Sequence, residues 1–264
     1  MPTVKLTTKY KKNNGLIISP DELLSLYFYG IDLRAKDGTI IDNYTISTYI
    51  RNAQSEIEKY FDFKILPKLV TETQDYYRDD YTNGFPFIRT SLPCRTVHTL
   101  MGFLNGIEQI HYPEGWLQMR RSTENRYYRQ FSVIPNGSVI NADANVILTG
   151  ISAQYGLTSY PQIPNYWTIQ YETGFPIDKL PYDILNLVGM LASIPIFVML
   201  GDLVLGGGVS SVSLGIDGLS QNISTTKSAT STAYSGRIKH YLDQIKLTSE
   251  RLKRTYKGIS FASL

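Results

Sequence analysis

The chain has 264 residues, with 26 Lys and Arg against 23 Asp and Glu for a formal net charge of +3, 20 tyrosines and one cysteine, Cys94. That length can bury one large core or two small ones, and a pI near 8.7 lies far below the basicity of a dedicated DNA-binding domain, whose affinity rests on phosphate contacts. A lone cysteine excludes an internal disulfide framework and fits a reducing compartment, while the tyrosine excess suits extensive interfaces.

Residues 1–14 are polar and lysine-bearing, without the apolar stretch of a signal peptide, so secretion is not expected. Ser19-Pro20-Asp21-Glu22 then carries three helix-start signals: a capping serine, proline at the first helical position, and glutamate placed to close a capping box. Gly30 offers a stop. After a turn at Asp37-Gly38, Ile46, Tyr49, Ile50, Ala53, Ile57, Tyr60 and Phe61 form a helical stripe.

From Pro67 the period changes to two. Asn83-Gly84, Asn105-Gly106 and Asn136-Gly137 separate segments rich in β-branched and aromatic residues, which predicts strands near residues 69–77, 87–90, 96–104, 107–112, 126–134, 145–152 and 167–172. The firmest hairpin is at Asn105-Gly106, since that dipeptide supplies two positive backbone angles.

Helical signals resume at Pro181-Tyr182-Asp183, and residues 184–205 are apolar on every side. Their length suits a membrane span of roughly 20 residues, but Asn186, Pro195 and Asp202 interrupt them and no basic cluster flanks them closely. A core helix is therefore preferred to a single membrane pass, which stands as an alternative, and Pro195 is expected to kink or divide it. A ribbon follows, with Gly206, Gly207, Gly208, Gly215 and Gly218 and then the Ser/Thr-rich residues 220–235. It holds too few large side chains to offset ordering entropy, which predicts a hinge and tether. In the final segment Tyr234, Ile238, Tyr241, Ile245, Leu252 and Tyr256 recur at helical spacing, and Arg237, Lys239, Lys246, Arg251, Lys253, Arg254 and Lys257 occupy other faces against Asp243 and Glu250. A tether ending in a cationic amphipathic helix predicts a docking segment.

Catalytic chemistry is hard to place. His98, His111 and His240 have no second ligand at metal spacing, and Cys94 follows Pro93 with no base nearby. Gly206-Gly207-Gly208 lacks the Lys-Ser/Thr of a phosphate loop. Asp79-Asp80 and Glu56/Glu58 read as solvated charges. Trp116 and Trp167 leave open a non-catalytic β-domain that binds sugar or nucleic acid by stacking. The expectation is no enzyme activity, no cofactor and no metal.

Four stretches together resemble the head-to-tail adaptor, or connector, proteins of tailed bacteriophages. They are the helix pair running from Ser19-Pro20-Asp21-Glu22 through residues 46–58; residues 61–69 with Phe85-Pro86-Phe87 and Leu92-Pro93; Trp167 to Pro176 followed by Pro181 and the apolar helix; and Ser213 to Gln221 followed by Tyr234 and the last helix. The resemblance implies a ring of twelve copies beneath the portal at one capsid vertex, assembled in the host cytoplasm and carried in the virion neck. The ring would line the channel through which double-stranded DNA passes without sequence-specific binding, away from any membrane, and would present a platform to the next neck or tail protein. It also implies that the C-terminal helix engages the portal, through Tyr234, Arg237, Ile238, Lys239, Tyr241, Ile245, Lys246, Arg251, Leu252, Arg254 and Tyr256. The bland alternative is that this helix packs on its own bundle. If it is an anchor, truncation before Gly236 leaves a folded protein. The expected organisation is α+β: bundle helices in residues 1–65, a β-rich insert in 66–176, a core helix in 177–205, and a tether with an extended docking helix in 206–264.

Overall fold

A computed structural model describes residues 5–7, 15–34, 38, 40–78, 87–119, 127–134, 161–205, 212–216, 219–223 and 234–256. The fold is α+β, combining helices with antiparallel sheets. One unit comprises residues 1–10 and 66–179, the other residues 11–65 and 180–264. Residues 5–7 thus group with the β unit, and the last helix groups with the helical unit.

In the β unit the strands are β1 (Lys5–Thr7), β2 (Lys68–Tyr77), β3 (Phe87–Cys94), β4 (Thr96–Leu104), β5 (Ile107–Tyr112), β6 (Leu117–Met119), β7 (Tyr128–Val133) and β8 (Gln162–Thr173). They form a five-stranded antiparallel sheet in the order β1-β2-β8-β4-β5 and a three-stranded sheet in the order β3-β7-β6. Asn105 and Gly106 both have positive φ, 49° and 78°, as a two-residue turn between β4 and β5 demands. Alternating residues of both sheets bury one core around Trp167, Tyr76, Tyr112, Tyr166, Tyr171, Phe131 and Leu100. Within it Glu72 is fully buried, and its carboxylate accepts from the Ser91 N–H (3.1 Å), the Tyr171 O–H (3.0 Å) and Gln74 Nε2 (2.6 Å). A buried carboxyl group is tolerable only with its polar atoms paired, and these bonds tie β2 to β3 and β8.

In the helical unit α1 (Pro20–Tyr27) begins with the capping box: the Glu22 N–H donates to Ser19 Oγ at 3.2 Å and the Ser19 N–H to Glu22 Oε2 at 2.8 Å. Helix α2 (Asn43–Phe61) is capped by Asp42, which accepts from the Thr45 N–H. It buries Ile46, Ile50, Ala53, Ile57, Tyr60 and Phe61, while Tyr49 is half-buried. Gln54, on the same face, holds residues 15–17 by accepting from the Ile17 N–H and donating to the Gly15 carbonyl.

Helix α3 (Tyr182–Leu205) packs against α1, α2 and α4 (Ser235–Tyr256). It is long and apolar enough to cross a membrane, but 78% of its apolar window is buried inside the protein. The single-pass alternative loses its ground, because the faces that lipid would cover are occupied by other helices. Pro195 does not divide the helix, which runs unbroken from Tyr182 to Leu205. Neighbouring helices hold it in shape where the missing N–H would weaken an isolated one.

Gly189 faces the Tyr27 ring so closely that a Cβ would lie 2.2 Å from its Cζ. Alanine normally stabilises a mid-helix position over glycine by about 0.5–1 kcal/mol. At Gly189 the overpacking is larger, and Gly189→Ala is expected to destabilise the protein by about 1–2 kcal/mol in urea titration. A Tyr27→Ala background should erase that loss in a double-mutant cycle.

The strand expected near residues 145–152 lies outside the described residues, as do Asp79, Asp80, Gly206, Gly207, Gly208, Gly218 and Lys257. Gly215 is a correction. Instead of a tether it sits in a hairpin of β9 (Val212–Ile216) and β10 (Leu219–Ile223), opposite Ser220. Apolar residues alternate on both sides of Asp217-Gly218, and that dipeptide is the hairpin signal a composition-based reading passes over.

Candidate functional site

Helix α4 carries the residues singled out for docking, and the structure divides them. Ile238, Ile245 and Leu252 are buried, together with Thr248 and Ser249. The apolar stripe therefore packs within the protein's own helical unit, against α3 among others. Tyr241 donates its hydroxyl to the Tyr27 carbonyl (3.2 Å) and meets the Tyr27 ring edge-on at 6.1 Å. Tyr234 lies 5.4 Å from Phe197, itself stacked on Phe28 at 4.3 Å. Tyr256 packs on Phe61 and Phe63. Arg237 sits over the Phe197 ring, and Arg251 pairs with Asp183 of α3 at 3.1 Å. The spacing of these residues marks one face of the helix, whose Ile238, Ile245 and Leu252 the structure buries. What covers that face could not be read from spacing, because one periodicity serves a bundle and a docking helix alike.

The outward surface of α4 is different. Lys239, Lys246, Lys253 and Arg254 are exposed, as are Asp243, Glu250 and Leu247. At about 100° per residue, Lys239, Lys246 and Lys253, each seven apart, run along one edge roughly a quarter-turn from buried Ile245. Asp243 and Glu250 stand three or four residues from these lysines and offset part of their charge. The helix carries six Lys and Arg against two carboxylates.

Tyr27 sits where α1, α3 and α4 converge, donating its hydroxyl to Asn186 Oδ1 at 2.9 Å. Burial, with the nearby Tyr241, pushes its pKa up to about 12 from 10.0. An unfolded tyrosine ionises near pH 10, so from there upward the unfolded chain has released a proton that the folded chain still holds. This stability is complete below pH 10 and is lost as pH rises toward 12. Melting temperature should fall over that window, and Tyr27→Phe should flatten the fall while costing about 1 kcal/mol at neutral pH through the lost hydrogen bond.

The remaining chemistry-bearing residues have structural surroundings. Cys94 is buried against Met119, and burial together with Glu72 raises its thiol pKa well above the usual range. His98 lies between Glu114 (3.3 Å) and Glu172 (3.5 Å), and Glu172 also pairs with Arg95. His111 is 3.8 Å from Glu108, and His240 is exposed on α4. Among the described residues no group of three or more His, Cys, Asp and Glu is placed to hold a metal. Trp167 is buried in the β core and Trp116 packs at its margin. A stacking platform needs an open ring face, so the sugar- or base-binding alternative loses Trp167 as a carrier.

These features define an α+β protein whose helical unit presents a cationic outer helix. No family model matches the chain, and no curated protein matches it. Among solved structures, a chain from "Neck of empty GTA particle computed with C6 symmetry" is loosely similar, with a TM-score of 0.42 and 13% identity over 72% of this chain and 82% of that one.

Proposed function

We propose that this chain is a structural, non-catalytic component of the neck of a tailed bacteriophage particle, forming a ring between the portal and the next neck or tail protein. The observation that supports this most is the order of elements. Two N-terminal helices, a buried apolar helix and a cationic last helix follow one another in the order that the resemblance to the head-to-tail adaptors implies, with strands β2 to β8 inserted between the second and third. A ring of twelve copies lining the DNA channel follows from the same resemblance, as does a virion location after assembly in the host cytoplasm. A heterologous interface that closes on itself gives such a ring, and binding to the portal would fix its copy number.

The portal contact is the outward edge of α4. Because Ile238, Ile245 and Leu252 are already buried, the attraction falls to Lys239, Lys246, Lys253 and Arg254. Exposed pairs contribute about 0.2–1 kcal/mol each and are screened by salt. Reversing Lys239, Lys246 and Lys253 to glutamate together should weaken co-sedimentation with purified portal about tenfold at low salt and less at high salt. Unchanged binding would remove α4 as the contact, and wild-type chain that never co-sediments with portal would remove the neck assignment.

A further inference from the structure

The β9–β10 hairpin has no role in anything described so far. Among the described residues its sheet contains these two strands alone. An isolated two-stranded hairpin is at best marginal in water. By register, Val212 pairs with Ile223, Ser213 with Asn222, Leu214 with Gln221, Gly215 with Ser220 and Ile216 with Leu219. Exposed strand edges are usually blunted by lysine, proline or an inward charge. Between Val212 and Ile223 there is no Lys, Arg, Glu or Pro, and the only charge, Asp217, falls between the strands.

We propose that this hairpin joins copies of the chain edge to edge, β10 of one copy pairing with β9 of the next, so that a closed assembly is seamed by a β-barrel. A second copy is the occupant that the strand directions favour. A two-stranded antiparallel unit repeated head to tail alternates direction at every step, so it closes into an all-antiparallel barrel. The five-stranded sheet of the β unit lacks this property: its edges β1 and β5 are separated by four antiparallel steps and run the same way, so joining them would give a parallel seam. At a strand spacing of ~4.8 Å, each copy adds about 3 Å to the barrel diameter, or about 4 Å at a tilt near 40°. An assembly of ten or more copies would keep an open lumen. This joint deepens the ring assignment by naming its seam, but it is tested on the chain alone.

The ladder itself supplies the test. With two residues connecting the strands, Ile216 and Leu219 exchange hydrogen bonds, and alternation leaves the N–H groups of Ser213, Gly215, Ser220 and Asn222 turned outward. Ser213→Pro with Ser220→Pro therefore removes outward donors while sparing the bonds within the hairpin. In sedimentation velocity of the full chain at high concentration, and on portal, the wild type should assemble and the double-proline variant should remain monomeric. A second variant, with residues 212–223 replaced by a Gly/Ser linker of equal length, should behave like the proline variant and guards against a local distortion. Assembly of both variants as wild type would overturn the joint, and so would wild-type chain that is monomeric alone and on portal. Wild-type chain that self-assembles but does not co-sediment with portal leaves the joint standing and removes only the neck assignment.

Discussion

Gly174→Ala is expected to destabilise the β unit by about 3 kcal/mol or more. Gly174 has φ +88°, and a Cβ there would lie 2.2 Å from the Leu66 carbonyl oxygen and 3.0 Å from Pro67 N. The first effect is conformational, about 1–2 kcal/mol for an L residue in the left-handed region. The second is steric, and its counterpart is backbone that cannot swing aside like a side chain. Gly106→Ala separates the two, since Gly106 has φ +78° with nothing within 4 Å of a Cβ. In urea titration followed by tryptophan fluorescence, Gly106→Ala should lose the conformational part and Gly174→Ala distinctly more. Equal losses would mean that the chain at Leu66 gives way at little cost.

The second large effect is expected from truncation before Gly236. The anchor reading predicts a folded product, and the structure predicts the opposite. Removing α4 takes Ile238, Ile245 and Leu252 out of the helical unit and strips cover from α3. At roughly 1.5–3 kcal/mol for each large apolar side chain, the three residues alone account for about 5–9 kcal/mol, comparable with the whole stability of a domain. The truncated chain should aggregate or show a sharply lowered melting temperature in scanning calorimetry. A truncated chain that melts like the full one would place α4 outside the folded core.

Where local chemistry decides the structure, the sequence was readable. Ser19 and Glu22 cap α1, Asn105-Gly106 turns β4 into β5, and residues 96–104 and 107–112 are strands with the expected limits. Where structure depends on what a face meets, it was not. The stripe from Ile238 to Leu252 has the same periodicity whether it meets α3 or a foreign surface. Three-residue β1 is too short for alternation to register, yet pairing with Leu69–Thr71 places it at the sheet edge. Nothing local in the sequence marks Glu72 as buried, since only the fold brings Ser91 and Tyr171 to it. The cationic face of α4 was half legible for the same reason: its charges were visible, but which of them face outward was settled by packing.

The helical unit is written in two instalments, residues 11–65 and 180–264, with the β unit between them. Synthesis therefore sets an order. When α2 leaves the ribosome, the α3 residues that will cover Ile46, Ile50 and Ile57 are still about 120 residues away, a delay of about 6–25 s at ~5–20 residues per second. The β unit can close meanwhile, while α1 and α2 wait with an uncovered apolar face, a period in which chaperone capture competes with self-association of nascent chains. Contacts of such long sequence separation also slow refolding from denaturant. A cell short of chaperones would therefore make less usable protein from this chain, even though the finished fold is untouched.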